Sequence, residues 1–135
     1  MALITWTNDL SVGITEIDRQ HQHLIQLIND LHEAMKTGKG KDVLGETLKS
    51  LSEYTVFHFG TEEQMFQKTG YPGTQAHLAE HKSFTREVLD FKARCDAGQA
   101  VVTIDLMQFL RNWLTDHIKG VDKRYTAFFH SKGIQ

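Results

Sequence analysis

The sequence predicts an all-α protein, an up-down-up-down antiparallel four-helix bundle with an N-terminal arm and a short C-terminal helix. Three observations lead to this prediction. The 135-residue chain contains a single proline, Pro72, so long uninterrupted helices are permitted. Apolar residues recur in alternating steps of three and four in four segments, which is the pattern of helices that bury one face. The stretches between these segments are short, so neighbouring helices should run antiparallel.

Each predicted element follows from that pattern and from the glycines that interrupt it. The expected boundaries of the single domain at 1–135 are an arm at 1–16, helices at about 17–37, 42–68, 75–96 and 103–119, and a last segment at 121–131. Glycine-containing turns separate the helices at TGKGK (37–41), TGYPG (69–73) and DAGQ (96–99). The first helix shows the pattern most clearly, with its apolar positions at Ile17, Leu24, Ile28, Leu31 and Met35.

The composition excludes several classes of protein. Fifteen Lys and Arg against 17 Asp and Glu give no basic surface for nucleic acid. The chain has no apolar run long enough to span a membrane and no secretion signal at MALITWTNDL, so we expect a cytoplasmic protein without membrane insertion. The lone Cys95 excludes an internal disulfide, and we interpret it as a small, inert, buried hydrophobe.

Polar residues interrupt all four apolar stripes. They are His21, His58, Glu62, His77, His81 and His117. Burying so many titratable groups is costly unless something compensates for it. Each of these residues lies near one end of its helix. In an antiparallel bundle, those four helix ends lie at the same end of the bundle. A single buried histidine is more often a hydrogen-bonded core residue, but six polar groups at one level predict a metal site.

The spacing of Asp122 leaves open whether it belongs to the metal site. It follows His117 by five residues, which is about 140° around an ideal α-helix, so the two side chains would point apart. A wide turn or a local break near Gly120 would bring Asp122 back to the layer. Otherwise Asp122 is a solvated aspartate beyond the helix end. His23, His32 and His130 do not fit the layer and are interpreted as surface residues.

The stretch HLAEH (77–81) matches H-x-x-E-H, an inverted zinc-protease signature. However, zinc takes about four ligands, and five histidines with one or two carboxylates favour two iron ions sharing bridging carboxylates. Glu80, the general base of a zinc enzyme, is one step off the stripe and should face away from the layer, and Glu63 should be solvated. A ligand set rich in neutral imidazole lacks the E-x-x-H pairs of carboxylate-rich di-iron bundles, which favours binding dioxygen over activating it.

The sequence resembles the bacterial hemerythrins (bacteriohemerythrins) over nearly its whole length. The resemblance is carried by WTNDLSVGITEIDRQHQ, HFGTEEQMF, YPGTQAHLAEH and NWLTDHIKGVDKRY. It implies reversible dioxygen binding for oxygen transport or storage, without enzymatic activity, at a non-haem di-iron centre (Fe2+/Fe3+) with a bridging hydroxide or oxide.

The resemblance also implies a role for each site residue. One iron would be held by His77, His81 and His117, and the other by His21 and His58, where dioxygen would bind end-on as hydroperoxide. Glu62 and Asp122 would bridge the pair. The oxygen pocket would be lined by Leu24, Phe59, Trp113, Leu114 and Ile118. Tyr125 would either hydrogen-bond a bridging carboxylate or only pack against its neighbours.

For partners, we expect dioxygen and an oxygen-consuming acceptor protein, and we expect a monomer rather than an oligomer. The main alternative is an enzyme on the same scaffold, either a peroxidase or a nitric-oxide-handling di-iron protein. A redox or iron sensor would instead change its oligomeric state or its partner binding with metal oxidation state. A zinc hydrolase built on HLAEH is the third alternative.

Overall fold

A computed structural model describes residues 3–37, 41–97 and 104–135 of the chain. Its helices are α1 (Thr15–Lys36), α2 (Lys41–Thr69), α3 (Thr74–Asp96), α4 (Ile104–Asp116) and the short α5 (Thr126–Ser131). Helix α1 packs against α2 and α4, and α2 packs against α3. The described residues form no β-strand. The prediction of an all-α four-helix bundle is confirmed.

The fourth helix departs from the expected boundary at 119. Regular α-helix ends at Asp116, and the chain continues as a π-helical turn at His117–Val121 and a 3-10 turn at Asp122–Tyr125 before α5 begins. Three features predicted from the sequence lie outside the described residues, namely the glycine turn at 38–40, the end of the DAGQ turn and the side chain of Cys95.

The core lies along the apolar stripes, as the spacing of α1 illustrates. Ile17, Leu24, Ile28 and Leu31 are buried, because steps of three and four return to the same side of a helix. Burying one such side chain contributes roughly 1.5–3 kcal/mol to the free energy of folding. This stripe includes His21, so the packing that forms the bundle also carries that imidazole into the interior.

The N-terminal arm makes hydrogen bonds both to the start of α1 and to α5, near the C-terminus. The Val12 amide donates to Asp18 Oδ1 at 2.8 Å at the start of α1, and the Thr126 hydroxyl donates to the Val12 carbonyl at 2.7 Å. Gly13 lies at φ +73°, where a Cβ would be 3.1 Å from the His130 ring, so glycine suits both the backbone and the contact. These bonds hold the start of α1 against α5.

Among the described helices, none has an apolar stretch long enough to cross a membrane.

Candidate metal centre

The structure brings the six polar stripe residues and Asp122 into one buried layer. α1 supplies His21, α2 supplies His58 and Glu62, α3 supplies His77 and His81, and the segment after α4 supplies His117 and Asp122. All seven side chains are at most 3% exposed. His23 and His130 are exposed and His32 is half-buried, so these three histidines lie outside the layer.

The π-helical turn explains how Asp122 reaches the layer. An α-helix would point Asp122 away from His117, but the wider turn at His117–Val121 adds one residue per turn and returns Asp122 to the same side. As a result, Asp122 Oδ1 lies 2.9 Å from His117 Nε2. Gly120 has ordinary backbone geometry and open space where a Cβ would lie, so the wide turn does not depend on glycine there.

The candidate ligand atoms form two groups that share a carboxylate. One group contains Glu62, His77, His81 and His117, and the other contains His21, His58, Glu62 and Asp122. Within each group the atoms lie within 4.8 Å of one another. Asp122 divides its oxygens between the groups, since Oδ1 lies 2.9 Å from His77 Nε2 and Oδ2 lies 3.0 Å from His21 Nε2. The arrangement therefore provides two neighbouring cation positions with two carboxylates between them.

The bonding of these atoms fits a cation. In the described part of the chain, every buried side-chain nitrogen or oxygen without a hydrogen-bond partner belongs to this layer. Those that face its interior are Glu62 Oε1, both Asp122 oxygens, and the Nε2 atoms of His77, His81 and His117. Buried polar atoms are normally satisfied, and lone pairs that converge without hydrogen bonds are stabilised by a metal ion. Imidazole nitrogens with carboxylate oxygens suit iron.

Electrostatics keeps His58, Glu62 and Asp122 in the protonation states that bind metals. Burial lowers the pKa of His58 to about 4, so the ring is neutral at pH 7. Burial acts to raise the pKa of Asp122, but the neighbouring His117, His21 and His77 together outweigh it and hold that pKa well below its usual range. Burial and the charge of Asp122 both act to raise the pKa of Glu62, but His58 and His81 lower it below its ordinary value. Both carboxylates are therefore ionised.

Three polar residues contact the outer nitrogens of the histidines. Gln20 Oε1 lies 2.7 Å from His58 Nδ1, and Glu63 Oε2 lies 3.1 Å from His81 Nδ1. Glu63 was expected to be solvated; its side chain is 41% exposed, and one of its carboxylate oxygens also contacts the His81 ring nitrogen. Glu80 stays outside the layer as expected, but its Oε2 approaches His117 Nδ1 to 3.5 Å. The spacing of residues along a helix predicts the direction of each Cβ. It does not predict where the end of a long side chain lies, and that end can reach a residue on a neighbouring helix. Gln20 was missed altogether, and its place directly before His21 was the only signal.

Tyr125 supports one of the shared carboxylates. Its hydroxyl donates to Glu62 Oε2 at 2.6 Å, and its ring stacks on His77 with a centroid distance of 5.6 Å and an interplanar angle of 20°. The side chain is fully buried. Burial first, and then the negative charges of Glu62 and Asp122, raise the pKa of Tyr125 well above its ordinary value, so the hydroxyl remains a donor.

The predicted pocket residues fall into two sets. Phe59 stacks on His81 at 3.7 Å, and Trp113 stacks on His117 at 4.3 Å, so both rings lie against the three-histidine group. The aliphatic residues Leu24, Leu114 and Ile118 are buried in the core. Apolar side chains of this kind keep water from the layer, while their lining of an oxygen pocket stays a prediction.

Comparisons with known proteins agree with the geometry. The family model described as "Hemerythrin HHE cation binding domain" matches residues 12–129. A bacteriohemerythrin of Methylococcus capsulatus is 38% identical over 126 residues, covering 93% of this chain and 95% of that protein. Another of Stenotrophomonas maltophilia is 37% identical over 125 residues, covering 93% and 80%. The crystal structure of a wild-type hemerythrin superposes with a TM-score of 0.89 at 37% identity, covering 93% of this chain and 97% of that one.

Proposed function

The chain belongs to the hemerythrin family, and we propose that it binds dioxygen reversibly at a non-haem di-iron centre, as an oxygen carrier or store and not as an enzyme. One observation carries the proposal. The two groups of candidate ligands share Glu62, and the two oxygens of Asp122 face different groups. Carboxylates placed between two cation positions are what a dinuclear centre requires, whereas a single zinc ion would need only about four ligands.

In this proposal, each residue of the layer has a defined part. His77, His81 and His117 would hold one iron, and His21 with His58 would hold the other, which would have fewer protein ligands and hence an open position. Glu62 and Asp122 would be shared between the two irons, and a hydroxide or oxide would complete the centre. When bound, the iron pair supplies the electrons and the coordination position for reversible dioxygen binding.

The protein environment supports reversibility in three ways. Only two of the seven candidate ligands are carboxylates, and the neutral imidazoles hold less negative charge than a carboxylate cage, which favours ferrous iron. The buried side chains of Leu24, Leu114 and Ile118 exclude the water that would promote oxidation, and the rings of Phe59 and Trp113 cover two of the histidines. The Tyr125 hydroxyl holds Glu62 in place without adding charge.

The remaining parts of the proposal rest on composition and family. We propose a cytoplasmic, monomeric protein, a single domain over 1–135, that delivers dioxygen to an oxygen-consuming acceptor protein. The near balance of 15 basic and 17 acidic residues supports the absence of nucleic acid as a partner.

The test is an absorption spectrum of the iron-loaded, anaerobically reduced protein, recorded before oxygen, after oxygen and again after degassing. A visible charge-transfer band that appears with oxygen and disappears on degassing supports a reversible carrier. Irreversible conversion to a ferric form without that band favours the redox enzyme or the sensor. Failure to hold two irons per chain would rule out the proposal. As a control, Gln26→Leu changes an exposed residue of α1 and should behave like the wild type.

A further inference from the structure

A chain of hydrogen bonds runs from the surface of α1 to the outer nitrogen of His58. Arg19 Nη1 donates to Glu16 Oε2 at 3.1 Å, and Gln20 Nε2 donates to Glu16 Oε1 at 3.1 Å. Gln20 Nε2 also donates to Thr61 Oγ1 at 3.3 Å, and Gln20 Oε1 lies 2.7 Å from His58 Nδ1. Arg19 and Glu16 are exposed, whereas Gln20 is 2% exposed, so this amide links solvent-facing charges to the buried layer.

The hydrogen-bond partners of Gln20 allow only one orientation of its side-chain amide. A carboxylate such as Glu16 accepts hydrogen bonds and donates none, so it must face the NH2 group. Thr61 Oγ1 donates its proton to the Phe57 carbonyl at 3.1 Å and therefore accepts from Gln20. Both contacts turn Nε2 away from His58, and Oε1 is left facing the ring. Because a carbonyl oxygen accepts only, His58 must carry its proton on Nδ1.

We propose that Gln20 is a positioning residue that holds His58 in the Nδ1–H tautomer, with the Nε2 lone pair directed into the layer for metal binding. This proposal rests on the di-iron function proposed above. His58 Nε2 lies 3.3 Å from Glu62 Oε1, on the side of the ring opposite Gln20. A histidine ligand is oriented and made more basic by the group that accepts its other N–H, and loss of such a partner typically costs about 10–100-fold in metal affinity.

Because Gln20 is uncharged, it also affects how readily the iron bound by His58 is oxidised. His81 faces the carboxylate of Glu63 at 3.1 Å, and His117 approaches that of Glu80 at 3.5 Å, whereas His58 faces an uncharged amide. A carboxylate increases electron donation from an imidazole ligand more than an amide does. His58 is therefore the weaker donor, and the iron in the two-histidine position resists oxidation more than it would beside a carboxylate.

The test uses the full-length, iron-loaded protein and two variants. Gln20→Leu removes the acceptor and keeps a side chain of similar size. The double variant Glu16→Gln with Gln20→Glu exchanges the amide and the carboxylate, so the composition and net charge of the chain stay the same. Iron affinity is measured by competition with a chelator, and the midpoint potential by anaerobic redox titration. Gln26→Leu, on an exposed position of the same helix, is the matched control.

We expect Gln20→Leu to weaken the binding of one iron by about 10–100-fold and to leave the other iron bound. The double variant should recover the affinity and shift the midpoint potential to a more negative value, because the carboxylate stabilises the ferric state. Wild-type affinity in Gln20→Leu, or an unchanged potential in the double variant, overturns the proposal. If Gln20→Leu does not fold, the double variant alone decides by the same criteria. Failure of the wild type itself to hold two irons counts against the di-iron function instead.

Discussion

The hydroxyl of Tyr125 offers a test of the carboxylate geometry with almost no change in packing. Tyr125→Phe removes the 2.6 Å hydrogen bond to Glu62 Oε2 and retains the ring that stacks on His77 and on Phe129 at 4.7 Å. Loss of a hydrogen bond to a charged group costs about 1.5–3 kcal/mol, since the buried carboxylate oxygen is left without its donor. For a domain of this size each kcal/mol corresponds to roughly 3–5 °C in Tm, so we expect Tm to fall by about 5–15 °C.

The assay is thermal unfolding of the iron-loaded protein at pH 7, followed by circular dichroism under anaerobic conditions. Tyr54→Phe is the matched control, because Tyr54 is half-buried on α2 and its hydroxyl has no hydrogen bond within the described residues. The control should change the free energy of unfolding by less than about 0.5 kcal/mol. If Tyr125→Phe loses no more stability than Tyr54→Phe, the hydroxyl does not support Glu62 as argued.

In the metal-free protein, the pH dependence of the same variant has a defined sign. The pKa of Tyr125 is raised in the folded state by burial and by nearby carboxylates, above the value of about 10 for an unfolded tyrosine. Its contribution to stability is therefore fully present below pH of about 10 and is lost as pH rises through the folded pKa. The stability difference between the wild type and Tyr125→Phe should stay constant from neutral pH to about 9 and shrink at higher pH. A difference that grows with alkalinity would contradict this assignment.

Three further substitutions test other features of the site. Leu114→Ala should lower the free energy of unfolding by about 2–5 kcal/mol and speed autoxidation by admitting water, and an unchanged autoxidation rate would count against a pocket role. Gly120→Ala should retain both irons and raise the free energy of unfolding by up to about 1 kcal/mol, whereas iron loss by metal analysis would show that the wide turn needs glycine. Glu80→Gln should keep both irons and reversible oxygen binding, because the carboxylate is half-exposed and 3.5 Å from His117 Nδ1. Loss of metal in that variant would reopen the zinc alternative.

The sequence by itself determined the helices and the level at which the polar groups meet. Steps of three and four define one face of a helix whatever the rest of the chain does, so Leu24 and His21 could be assigned to the same buried stripe. Short connections impose antiparallel neighbours, and this places His58 and His77 at one end of the bundle. These inferences needed only local periodicity and chain connectivity, and the structure agrees with both.

Only the tertiary structure decided which atoms face one another. Asp122 lies five residues after His117, and spacing could not tell a continued α-helix from the π-helical turn that brings the carboxylate back. The contacts of Gln20 with His58 and of Glu63 with His81 join different helices, so they depend on interhelical distance and side-chain rotamer. A helical pattern records the direction in which each side chain leaves the backbone, whereas the partner at its far end is decided by how the helices pack.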